Sequence, residues 1–74
     1  GGTKQLKKDL AAAEKRMEKL DQLMETLNAE KEAAASDYQK LQELAEQEAE
    51  YTAEYDALME KWEVLSEAIA AEEG

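Results

Sequence analysis

Cysteine, histidine, proline and phenylalanine are all absent from this 74-residue sequence, and its three glycines sit only at positions 1, 2 and 74. Without cysteine there is no disulfide framework and no thiolate chemistry, which fits a reducing, cytoplasmic setting. Without histidine the commonest metal ligand and general base is missing. Without proline or internal glycine nothing interrupts a helix between residues 3 and 73. The β-branched residues are only Thr3, Thr26, Thr52, Val64 and Ile69, so a sheet is implausible. No apolar run approaches the roughly 20 residues that span a bilayer, and the N-terminus lacks a signal peptide's apolar stretch. No membrane partner is therefore expected. Gly1-Gly2 reads as an added remnant or an excision boundary, and the chain as a piece of a larger protein.

What remains is helix-forming. Ala, Leu, Glu, Lys and Gln dominate, 38% of residues are charged, and the formal net charge is −10. The charge is unevenly placed. Residues 1–35 hold seven basic and seven acidic side chains, whereas residues 36–74 hold two basic and twelve acidic ones. Such an acidic balance argues against tight non-specific binding of nucleic acid or anionic membrane, and leaves room only for a local basic patch.

Two heptad frames run through the chain. In the first half, a positions are Thr3, Leu10, Met17, Met24 and Lys31, and d positions are Leu6, Ala13, Leu20, Leu27 and Ala34. In the second half, a is Leu41, Glu48, Tyr55, Trp62 and Ile69, and d is Leu44, Tyr51, Leu58 and Leu65. The frames do not join; the break falls at residues 33–37. Ser36-Asp-Tyr-Gln39 has the form of a capping box with Ser36 as the cap. A single bent helix with a stammer is the rival arrangement. Folding the chain back decides between them. It brings Asp9 to Lys61, Arg16 to Glu54, Leu23 to Gln47 and Glu30 to Lys40 at flanking positions, and a one-heptad slip opposes like charges.

The expectation is an all-α, antiparallel two-helix coiled-coil hairpin forming one domain over residues 1–74. The first helix covers about 3–34, the turn about 35–36, and the second helix about 37–71. Each arm is about 50 Å long. Trp62 is expected as a buried anchor, Lys31 to snorkel past Leu41, and the base near 6–20 and 51–69 to be firmer than the tip.

Catalytic, cofactor-binding and metal-binding motifs are absent, so this domain is expected to be no enzyme. The carboxylates Glu46, Glu48, Glu50, Glu60, Glu63 and Glu67 read as a solvated face. Tyr51, Tyr55 and Trp62 suggest base stacking, but their a and d positions favour core packing. Tyr38, in the first turn of the second helix, is the freest aromatic. The one credible polyanion footprint is Lys4, Lys8, Lys15 and Lys19 on the outer face of the first helix, with Lys7 and Arg16 at its edges. Residues 1–19 are net +3.

A family resemblance adds to this. Glu54-Tyr-Asp-Ala-Leu-Met-Glu-Lys-Trp-Glu-Val-Leu65 resembles the end of the C-terminal coiled-coil domain of ABC-F class ATPases of the Uup type. Its specific part is Lys61, Trp62, Glu63 and Leu65; Lys4-Gln-Leu-Lys-Lys8 and Asp37-Tyr38 are also similar. The resemblance implies a soluble cytoplasmic protein with two ATP-binding cassettes upstream in the same chain, so ATP belongs to the parent and no cofactor to this domain. It further implies that the hairpin, a monomer, contacts DNA or ribosomal RNA weakly, or modulates the ATPase. The charge of −10 departs from that pattern and confines any contact to the basic face of the first helix. The alternative is a structural or protein–protein coiled coil without nucleic-acid binding, self-associating through Leu23, Met59 and Val64. An RNA-binding arm of a tRNA synthetase shares the architecture but lacks the basic balance and explains Lys61-Trp62-Glu63 less well.

Overall fold

The computed structural model describes residues 2–74; Gly1, the first of the paired glycines, lies outside them. Two helices, α1 (Thr3–Ala34) and α2 (Tyr38–Glu73), pack antiparallel into a hairpin with extents of 55 × 15 × 14 Å. α2 continues two residues beyond the expected end, because nothing before Gly74 breaks it.

The turn is tight. The Asp37 amide donates to the Ala34 carbonyl at 2.9 Å, closing a four-residue turn in which Ala35 adopts φ 50° and ψ −101°. Ala35 is the one non-glycine residue with positive φ. The helix cap differs from the expected Ser36 box. Asp37 is the cap: its backbone is extended, and its Oδ1 accepts from the Lys40 amide at 3.2 Å. A carboxylate outcompetes a hydroxyl here because it also opposes the positive helix N-terminus. The shift by one residue puts Lys40 where the box needs Gln39, so no reciprocal bond forms.

At the other end, α1 starts without a side-chain cap or any acidic residue in its first turn. Its compensation comes from α2. A Cβ built on Gly2 would lie 2.6 Å from a Glu72 carboxylate oxygen, and Lys7 pairs with Glu73. Antiparallel packing thus lays the acidic end of α2 against the basic, dipole-positive start of α1.

Burial follows the heptads unequally. Every buried residue is a d position: Ala13, Leu20, Leu27, Leu44 and Leu65. The a positions from Leu10 to Lys31 and from Leu41 to Ile69 are only half-buried. In an antiparallel pair, d and g side chains line one seam, and a and e line the other. Ion pairs bridge the helices on both seams, Arg16–Glu54 on d/g and Lys31–Glu48 and Lys7–Glu73 on a/e. Arg16 Nε and Nη2 donate to both Glu54 carboxylate oxygens at 2.6 and 3.0 Å, and Gln47 donates its amide to the Tyr51 hydroxyl at 2.8 Å.

The Arg16–Glu54 pair sits where the register requires it. Leu23 and Gln47 border one shallow depression, as facing residues should. The other two expected pairs do not form among the described residues. Asp9 instead accepts from the Gln5 amide on its own helix at 2.9 Å, and Lys61 and Lys40 stay in solvent. Exposed ion pairs gain only tenths of a kcal/mol, so hydration competes with them.

Lys31 does not snorkel past Leu41. Its Nζ reaches Glu48 at 2.7 Å, so the two charged a positions satisfy each other across adjacent layers. Burial does not separate base from tip, since Leu20, within the expected base, is 0% exposed. Leu20, Leu27 and Leu44 are the most completely buried, whereas Trp62 and Tyr55 are half-exposed on the open a/e seam.

Candidate functional site

The basic residues of α1 fall into two groups. Lys7 and Arg16, at the edges of the face, are held by Glu73 and Glu54. The bidentate bond raises the Arg16 pKa and lowers that of Glu54, with the hydrogen bond as the leading cause on both sides. Lys4, Lys8, Lys15 and Lys19 form no ion pair among the described residues and are all exposed.

Their spacing of four, seven and four residues places them within about a sixth of the helix circumference and along about 22 Å of its length. Ala11, Ala12 and Gln22 lie among them, and Glu18, at the heptad position of Lys4 and Ala11, is the carboxylate on the edge of this face. Lys15 and Lys19 border a shallow surface depression of about 210 Å³, with Glu18 and Gln22 on its other side. The arrangement is a straight row of mobile ammonium groups on a convex surface. It suits a linear polyanion and has no cavity for a small ligand.

No group of three or more carboxylates among the described residues converges to hold a metal ion. Among the aromatics, Tyr38 projects from the start of α2 with 82% of its surface exposed. Tyr51 is half-buried and engaged by Gln47. Tyr55 and Trp62 line a groove on the a/e seam together with Met17 and Met59.

A family described as ABC transporter C-terminal domain matches residues 2–67. The chain belongs to that family. No curated protein and no solved structure matches the chain significantly. The match covers α1, the turn and most of α2, so the hairpin is a C-terminal domain of an ABC transporter-type ATP-binding protein. None of its helices, among the described residues, is long and apolar enough to cross a membrane.

Three features escaped the sequence reading: the α1 start compensated by Glu72 and Glu73, the Lys31–Glu48 pair, and the groove under Trp62. The Lys7–Glu73 pair had only a partial signal, since Ile69 at a makes Glu73 an e position, one heptad past the Ser66 that the register sets against Lys7. The groove had no such signal, because a heptad pattern treats a and d alike.

Proposed function

We propose that this hairpin is a non-catalytic appendage of a cytoplasmic ABC-F type ATPase that touches nucleic acid, as DNA or ribosomal RNA, through Lys4, Lys8, Lys15 and Lys19. The observation that carries the reading is the row of four exposed lysines that the fold leaves without ion pairs among the described residues, with Glu18 as the carboxylate at its edge. Lys7 and Arg16, already engaged, contribute field rather than contacts. The family match supports the ATP-binding parent, and the Lys61-Trp62-Glu63 ending supports the ABC-F type. ATP would bind in cassettes upstream, and the hairpin would act as a monomeric contact arm.

Four phosphate contacts give a slope of log affinity against log salt of about −3.6 on duplex DNA, so binding is weak and salt-sensitive. Fluorescence anisotropy with a labelled duplex and a labelled RNA hairpin at low salt tests this. Changing Lys4, Lys8, Lys15 and Lys19 to Ala should abolish binding to both, while Lys7→Ala with Arg16→Ala should weaken it less. Binding unchanged in the fourfold variant refutes the reading. The net charge of −10 favours a second reading, a structural or protein-binding coiled coil with no nucleic-acid contact, and absence of binding by the unmodified chain would select it.

A further inference from the structure

The open a/e seam carries a surface that the lysine stripe does not explain. Met17 and Tyr55, facing a positions, and Trp62 with Met59 form the floor of a groove of about 360 Å³. These side chains would close a coiled-coil core if their neighbours covered them, yet Met59 is 43% exposed and the other three are only half-buried. The residues lining its walls are Glu14, Glu18 and Asp21, all on α1. None of the three forms an ion pair among the described residues. The groove is therefore apolar and aromatic below and purely anionic above.

We propose that this groove docks a basic amphipathic helix of a partner protein. Two or three apolar side chains spaced i, i+4 and i+7 would seat on Met17, Tyr55, Met59 and Trp62, with Lys or Arg beside them meeting Glu14, Glu18 and Asp21. Charge selects this occupant. A phosphate backbone is repelled by three unpaired carboxylates. A second copy docked about a two-fold axis would set the same acidic wall against itself. From Glu14 to Asp21 the wall is about 11 Å long, or two helical turns, so the contact is small and reversible.

Trp62 is the chain's only tryptophan, so its emission reports the groove directly. The probe is a Trp-free peptide of about four helical turns, with leucines on one face and lysines flanking them. Comparators are the same peptide with Glu for Lys, and an oligolysine of equal charge. The Leu/Lys peptide should shift Trp62 emission to the blue saturably, and neither comparator should. Glu14→Gln, Glu18→Gln and Asp21→Asn together should weaken binding by about tenfold. Glu43→Gln, Glu46→Gln and Glu50→Gln remove as much charge from α2 and should leave binding unchanged. Met59→Ser, at an exposed site that the fold tolerates, should weaken it independently of charge, with helicity at 222 nm confirming folding. Equal loss in both charge variants, equal binding of oligolysine, or no saturable shift overturns the proposal. So does sedimentation equilibrium showing dimers that the Met59→Ser change dissolves.

Discussion

Replacing Ala35 by glycine should stabilise the hairpin. Ala35 holds φ 50° and ψ −101° in a turn closed by the Asp37 amide and the Ala34 carbonyl at 2.9 Å. This is close to the first central position of a type II′ turn, which glycine dominates because a Cβ crowds the backbone there. A non-glycine residue in such a region stores about 1–3 kcal/mol. Glycine releases that strain but has more freedom to lose on folding, about 0.5–1 kcal/mol. The difference is a net gain of about 1 kcal/mol, or about 4–8 °C in Tm for a chain of this size. Thermal and urea unfolding followed at 222 nm measure it. Ala33→Gly, two residues earlier and inside α1, is the control and should cost about 1 kcal/mol instead. The reasoning fails if Ala35→Gly destabilises the chain as Ala33→Gly does, because the turn strain would then be absent.

The unequal seams predict unequal core mutations. Leu20→Ala, at a d position with 0% exposure, should cost about 3–5 kcal/mol and unfold the hairpin at room temperature, whereas Met17→Ala at a half-buried a position should cost about a third of that by urea titration. The Arg16–Glu54 bond predicts a pH signature. Because the folded pKa of Glu54 is lowered, its contribution is present above the ordinary carboxylate range and is lost as pH falls through the lowered value. The stability gap between the unmodified chain and Glu54→Gln should therefore be open at neutral pH and close on acidification, and a gap that widens instead would refute the assignment.

The hairpin was legible because two kinds of information agreed. The heptads named the core-facing residues, and the frame break at 33–37 said where the chain reverses. The pairs Asp9–Lys61, Arg16–Glu54 and Glu30–Lys40 then chose the register, and of the three the structure forms Arg16–Glu54. What was not legible depended on competition among near-equal local choices. Ser36 and Asp37 both qualify as caps, and a helix start displaced by one residue decides between them. Asp9 could reach Lys61 across the interface or Gln5 on its own helix, and differences of tenths of a kcal/mol choose the latter. Trp62 could be assigned to the interface but not to its exposure. Exposure is set by the flanking residues, and beside Trp62 these are Glu14, Glu18, Asp21 and Met59, which line the groove without covering it.

The charge distribution gains a structural meaning from the antiparallel arrangement. An isolated α1 would place Lys4, Lys7 and Lys8 at the positive end of its own dipole, and an isolated α2 would place Glu72 and Glu73 at its negative end. Each helix is electrostatically wrong alone, and pairing corrects both, through Glu72 beside Gly2 and Glu73 on Lys7. Glu48, Glu54 and Glu73 of α2 thus serve as counter-charge to α1 at the seams, and the outer lysine stripe of α1 stays unpaired among the described residues. Glu18 marks the limit of that stripe, since it borders both the Lys15–Lys19 depression and the aromatic groove. Its carboxylate disfavours a phosphate on the first side and favours a cation on the second. One side chain therefore separates two surfaces of opposite preference about a quarter-turn apart on the same helix.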